Sequence, residues 1–549
     1  MASKTKNPVL TNILFSATIV TLIISPFINK DSMIIPKLII LFLLALYLIP
    51  LLVLNLKRII KIPKFRILFI ILALMVIQIL IAFIASDAPF EQQFYGRTGR
   101  GFGVTTYISI LIVLLATAMF MQVSKATLII KSLTLSGLVT SVYSLFQSFG
   151  LDFLKWESKT NGVIGTLGNP NFQASFAALV FIPGVFAFWY TKYRYLGFTL
   201  ALIIFPFTVF RTQSTQGYIA ISLSIAIFGL IYLWYKKKII ASLFFILTLI
   251  FGIIAISGMF NYGPLSKYLY KVSVQSRGDF WRSAIALSQD YPLTGVGIDS
   301  FGDYFLLYRD QIAASHPFAE YTDNAHNIFL DLTVSGGYPL SILYLLLNLL
   351  VLISYISSQR KIAKFNLELA ILFSAWVVYQ AQSFISPWNI AMTLWSAILS
   401  GGLIGFHILI EKSEDQMLPD NKTLAITRPF SALLVMFGLI ISYPLFNTDR
   451  LQMKAMTKGD GDLAIISTQK FPESVLRYTI ISRELLDSNL PGPALIVAKS
   501  AVEFNPHSPN LWALILINPS ASLEERRFAR DKILQLDPLN KQVANYKLP

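Results

Sequence analysis

Four arginines, one histidine and one tryptophan, all in short polar segments, are the residues of this sequence best suited to chemistry. His326 lies in Asp323-Asn324-Ala325-His326-Asn327-Ile328-Phe329-Leu330. Asp323 reads as a helix N-cap, which places His326 in the first turn of the helix that follows. The positive end of a helix favours neutral imidazole, the form a general base needs. Arg277 and Trp281 lie four apart in Ser276-Arg277-Gly278-Asp279-Phe280-Trp281-Arg282 and share one face of a helix. A guanidinium beside an indole suits a sugar-phosphate site or a membrane-interface anchor. Arg97 and Arg100 stand among four glycines in the run from Phe94 to Gly103. Glycines let the backbone approach an anion, and arginine grips phosphate oxygens in pairs. Arg211 opens the turn that runs to Gly217, where it either meets an anion or reaches lipid headgroups.

Other chemistries are excluded. There are no cysteines, so no disulfide, thiolate metal site or cysteine nucleophile exists. The four histidines, His316, His326, His407 and His507, show no i,i+3 or i,i+4 pairing. No metal and no cofactor is expected.

These segments are positioned by membrane helices. Of 549 residues, 55% are apolar and only 13% charged, against about 25% charged in a soluble domain. Mean hydropathy is +0.63. A span needs roughly 20 apolar residues. Such runs occur at 9–28, 38–56, 67–85, 104–122, 128–149, 171–190, 196–211, 217–235, 239–258, 338–357, 367–385, 390–410 and 428–446. The run from Val9 to Ile28, behind Lys4 and Lys6, reads as a first span rather than a removed signal. The expected fold is therefore all-α and polytopic, with about 13 spans. Residues 1–446 form its membrane domain, with a large outer loop at 259–337, and 447–549 form a small helical extracytoplasmic domain. In that tail, Asn505-Pro506 and Asp537-Pro538 recur 32 residues apart, near the period of about 34 of tetratricopeptide repeats. An irregular helical domain is the alternative.

The net charge of +16 is gathered in short loops. Lys57, Arg58, Lys61, Lys64 and Arg66 form one; Lys192 and Arg194, Lys236–Lys238, and Arg360, Lys361 and Lys364 form others; Lys412, Lys422 and Arg428 complete the set. All fall on the N-terminal side, which is then cytoplasmic, with the tail outside. This distribution explains the charge without nucleic acid. Ionisable residues inside spans are few, Glu368 and Asp331 lying near helix ends. The mid-membrane polar residues are the amides Gln78, Gln147, Gln380 and Gln382. Scarce midplane carboxylates argue against an ion-coupled pump, though not against a facilitator.

Five segments occur in an order that resembles the O-antigen ligase and polymerase superfamily. They are Thr166-Leu167-Gly168-Asn169-Pro170-Asn171-Phe172, Arg277 to Trp281, Pro292 to Phe301, Ala325-His326-Asn327, and Gln380 to Gly405. The resemblance covers roughly residues 85–410. It implies a metal-independent membrane glycosyltransferase that moves a glycan from undecaprenyl pyrophosphate to an acceptor hydroxyl. By that resemblance His326 takes the place of the acceptor-activating histidine and Arg277 that of an arginine holding the donor pyrophosphate. Trp281 and Asn327 join the same substrate site. Arg211 lies near another such position. The family often reads Ser-Arg-Gly there, and this chain reads Ser214-Thr215-Gln216-Gly217. Arg97 and Arg100 match the family's basic outer loop in location. The partners implied are the lipid-linked donor, a lipid, glycan or protein acceptor, and membrane lipids of the cytoplasmic (inner) membrane; the tail is suited to a protein partner. The competing readings are a transporter or flippase of lipid-linked glycan or a small anion, and a non-catalytic assembly scaffold.

Overall fold

A computed structural model of the chain describes residues 8–154, 162–270, 272–316, 321–411 and 421–548. Lys4, Lys6 and the 412–420 stretch, with Lys412, lie outside the described residues. The described residues form helices and loops, with no strand among them. Each predicted span falls on a helix. Nine helices among the described residues are long and apolar enough to cross a membrane. Pro8–Leu22, Val104–Phe120 and Pro170–Phe186 are shorter apolar helices packed among them. The protein is a multi-pass helical membrane protein.

The bundle is held by close contacts between helices that lipid alone would not drive together. Ile390–Glu411 crosses Val104–Phe120 through Gly401 and Gly405; a Cβ on Gly405 would sit 2.4 Å from the carbonyl oxygen of Ala118. Pro170–Phe186 packs against Ala126–Ser148, Arg194–Thr212, Thr215–Lys236 and Leu367–Ser383. The Thr166–Phe172 segment builds its start. Asn169 caps this helix by accepting from the Asn171 amide, and Asn171 Oδ1 accepts from the Ser214 hydroxyl at 2.7 Å.

Charge inside the bundle is neutralised locally. Lys37, which the sequence reading passed over, is buried in Ile35–Leu54. Its ammonium donates to the carbonyls of Val20, Thr21 and Ile23 at 2.9–3.1 Å. These carbonyls end Pro8–Leu22, so a cation satisfies acceptors that the helix itself leaves open. The first helix therefore stops earlier than the predicted 9–28 run. The mid-membrane amides have partners too, Gln380 while lining a small cavity among the helices. Gln78 donates to the Leu293 and Gly336 carbonyls, Gln147 to Asp152, Gln382 to Ser386, and Gln380 accepts from Tyr344.

The predicted 259–337 loop contains the helices Val272–Asp290, Phe301–Tyr308 and Gln311–Ser315, and the start of Ile328–Ile362. Ile328–Ile362 is two helical stretches joined at Gly336 and Gly337, whose backbone angles are not helical. A small apolar cluster unites the loop: Phe280, Ala284 and Leu287 from one helix meet Phe301, Phe305 and Val334. The chain runs through the expected 446/447 boundary without a break, in one helix, Asn421–Lys458. Beyond it, helices Val475–Asp487, Pro491–Phe504, Pro509–Leu516 and Leu523–Leu536 pack in succession around a second core that includes Tyr478, Ile481, Ala498 and Leu511. The buried pair of Arg309 with Asp537, at 2.8 Å, and the stacking of His507 on Tyr304 hold this tail to the loop.

The turn before Phe301 must pass close to the site helix. Gly295 has φ +64°, and a Cβ there would lie 2.4 Å from the Val334 carbonyl, which accepts the neighbouring Val296 amide at 2.8 Å. Gly295→Val is expected to cost about 1–3 kcal/mol and lower the thermal midpoint of the detergent-solubilised protein, whereas Gly492→Ala, in open space, leaves it unchanged.

Candidate active site

The site is assembled where Val272–Asp290, the start of Ile328–Ile362 and the 94–103 loop meet. Val272–Asp290 places Arg277 and Trp281 one turn apart, as their spacing predicts. Arg277 is buried and has no carboxylate partner among the described residues. Among the described residues its one hydrogen bond goes from Nη2 to Gln216 Oε1 at 3.3 Å, and its Nε is buried with no partner there. Burial alone pushes this guanidinium down to about 10. Trp281 Nε1 is likewise buried and unpaired. Such orphaned donors are uncommon inside proteins and mark a place where an acceptor belongs.

His326 does not stand in a helical turn. Asn327, not Asp323, caps the helix, accepting from the amides of Phe329 and Leu330 at 3.0 and 3.2 Å. Asp323 is engaged elsewhere: its carboxylate receives Arg100 in a paired contact, Nε at 2.9 Å and Nη2 at 2.8 Å. His326 therefore sits just before the cap, with φ +53°. Its amide donates to Asn324 Oδ1 at 3.1 Å, and its ring lies 5.4 Å from that of Phe280. The preceding residue is fixed too, because the Ala325 amide donates to Asp331 at 2.6 Å. Nδ1 of His326 is buried and has no partner among the described residues. Burial, then the positive charges of Arg100 and Arg277, push the imidazole down to about 3, against the pull of Asp323. The ring is neutral at pH 7, for a reason other than the expected helix end: desolvation beside two cations.

The remaining predicted residues divide. Arg100 reaches the His326 neighbourhood, where burial would raise Asp323 but Arg100 holds it at about 2. Arg97 turns away, donating to Tyr321 at 2.7 Å and pairing with Asp303. Its own amide donates to Asp299 at 2.6 Å. Asp299 is nevertheless raised to about 6, because burial outweighs Arg97. Arg211 donates to the Ser148 carbonyl and lies 5.5 Å over Phe149, so it serves a helix end. The Arg211 turn still contributes, through Gln216, the residue that meets Arg277. Asn327 uses its side chain as the cap.

A small cavity of about 30 Å³ lies beside the Arg100–Asp323 pair, bordered also by Asp299, Asp331, Tyr107 and Trp388. Among the described residues no group of three or more histidine, aspartate or glutamate side chains could hold a metal ion. Sequence reasoning missed Gln216, Asp303, Asp299 and the His316–Asp279 pair, 2.7 Å apart. Their partners lie tens to hundreds of residues away, and no local spacing announces them.

Residues 198–345 match the family described as O-antigen ligase. The matched segment, about a quarter of the chain, is similar to the O-antigen ligase superfamily. The match includes Arg211, Gln216, Arg277, Trp281, His326 and Asn327, and leaves Arg97 and Arg100 outside. The match supports a membrane ligase role in polysaccharide assembly, with a lipid-linked glycan and an acceptor as the kind of substrate it implies. No curated protein matches the chain.

The depressed imidazole gives a direct test. In protein with ¹⁵N-labelled histidine, the His326 resonance is expected to stay at its neutral position from pH 8 down to pH 5, where an ordinary imidazole with a pKa of about 6.5 has gained its proton. Removing a neighbouring cation with Arg277→Met moves the His326 titration upward; a midpoint near 6.5 in the parent would contradict the site as described.

Proposed function

We propose that this protein transfers a glycan from undecaprenyl pyrophosphate to an acceptor hydroxyl, without a metal ion. The observation that carries the reading is the buried, carboxylate-free guanidinium of Arg277 beside a neutral His326, inside the segment that matches the ligase family. A buried cation with no internal counter-charge is costly unless an anion completes it. A pyrophosphate supplies that anion, and arginine is the side chain that binds it best.

The steps follow from these groups. His326 takes the proton of the acceptor hydroxyl, and the freed oxygen attacks the anomeric carbon of the donor sugar. The bond from that carbon to the pyrophosphate oxygen breaks, and undecaprenyl pyrophosphate leaves with the electron pair. Arg277 stabilises the negative charge that develops on it, helped at longer range by Arg100. A single displacement inverts the anomeric configuration. Trp281 offers an indole N–H beside the same site.

The reaction is assigned to the outer face of the cytoplasmic membrane. Support comes from the two ends of the helices. Thr215–Lys236 starts at the Gln216 turn and ends in Lys236–Lys238, and the helix that begins after His326 ends in Arg360 and Lys361. The basic ends thus lie opposite the site, as the positive-inside rule requires for an external site.

Glycan transfer in membranes holding the native lipid-linked donor is the test. His326→Ala is expected to lower the rate by about 10²–10⁴-fold. Arg277→Ala lowers it by about 10²–10³-fold, with partial recovery in Arg277→Lys. Chelation with EDTA leaves the parent rate unchanged. Unaltered transfer in both alanine variants at matched expression sinks the assignment.

A further inference from the structure

A second, larger cleft lies between the membrane helices and the tail, holding about 310 Å³. Ligand sites commonly have volumes of about 300–1,000 Å³. One wall is the Gly96–Thr98 turn with Tyr321 and Asp323; the other is the helix Val475–Asp487, with Asn510 from the next hairpin. Asp323 borders both this cleft and the cavity beside the Arg100 pair, three residues from His326. The two spaces therefore share Asp323 as a wall.

The lining is mixed in a particular way. Arg483 and Asn510 make no hydrogen bond to other described residues, Tyr321 presents its hydroxyl, and Glu473 keeps one carboxylate oxygen beyond the Tyr478 contact at 2.6 Å. Leu476 and Phe504 add an apolar patch. Donors and acceptors around a small apolar surface match a pyranose, which shows hydroxyls at its edge and C–H groups on its face. Two common peptide-binding surfaces are a free strand edge and a long apolar groove. Neither borders this cleft. Its walls are also fixed relative to one another. Thr98 and Ser474 hydroxyls meet at 2.7 Å across it, and the Arg309–Asp537 pair anchors the far end of the tail.

We infer that the cleft between the 96–98 turn and the helix Val475–Asp487 is the acceptor site, and that it takes the sugar end of a glycoconjugate. The inference rests on the transfer reaction proposed above. The tail forms half of the acceptor site and so helps decide what receives the glycan. Two sources share this chemistry: the glycan of a membrane glycolipid, and a second molecule of the lipid-linked donor.

The experiment uses full-length protein in nanodiscs and in membranes. The binding probe is the oligosaccharide mixture released by mild acid from the host's own surface glycolipids, titrated by calorimetry. The parent and His326→Ala are expected to bind it alike, while Thr479→Trp, which fills the cleft, and Arg483→Glu each bind about tenfold more weakly. In membranes the same two variants need more acceptor for half-maximal transfer and keep the maximal rate. Arg483 is exposed, so its variant carries the test if Thr479→Trp does not fold. Product lengthened on undecaprenyl pyrophosphate identifies a second donor as acceptor; product on glycolipid identifies the other source. Unchanged binding in the cleft variants, or label found only on protein, overturns the inference while leaving His326 catalysis standing. Normal transfer by His326→Ala refutes the reaction instead, whatever the cleft binds.

Discussion

One buried guanidinium lacks a counter-charge, and the surrounding structure is organised around it. Four other arginines near the loop are neutralised within the chain: Arg97 by Asp303, Arg100 by Asp323, Arg282 by Asp279 and Asp310, Arg309 by Asp537. Arg277 receives a single amide oxygen at 3.3 Å. Removing a charge from water costs several kcal/mol after relaxation. That cost is borne by packing elsewhere: Phe280 and Ala284, on the same helix, anchor it in the apolar cluster beneath the loop. Gln216 supplies that amide oxygen. An amide there accepts from Arg277 where a second cation would repel it.

The paired arginines set the field in which His326 works. Arg100 is held by two contacts to Asp323, so the pair adds little net charge, yet its positive end faces the imidazole. The ring consequently stays neutral. The same two cations lose much of their influence once an anion lies against them. An anion there opposes the part of the depression that the two cations cause, while the larger part, burial, remains.

Much of this architecture was legible in the sequence because hydrophobic length and helical spacing are local signals. The thirteen apolar runs fall on helices, and the four-residue spacing of Arg277 and Trp281 does put them one turn apart. The pairing of charges was not local. Asp323 and Asn327 are both good caps, and only the arrival of Arg100, 223 positions away in sequence, removes Asp323 from the choice. Arg97 and Arg100 look equivalent in a glycine-rich run, yet one turns to Asp303 and the other to Asp323. Lys37 was overlooked because it sits at the margin of an apolar run; its partners are backbone carbonyls, which leave no mark in composition.

The helix Asn421–Lys458 has 38 residues, a length of roughly 57 Å at the standard rise. The hydrocarbon core is only about 30 Å thick. The surplus leads straight into the tail, with no flexible joint between span and tail. It is braced near the membrane surface, where Tyr95 donates to the Ile441 carbonyl at 2.9 Å and Asp449 accepts the Asp31 amide. A span longer than the bilayer tilts, and Pro444 stands inside this helix just before its surplus begins. The contacts at Tyr95 and Asp31, with the Thr98–Ser474 and Arg309–Asp537 pairs, hold the tail against that tilt and keep the cleft at one width.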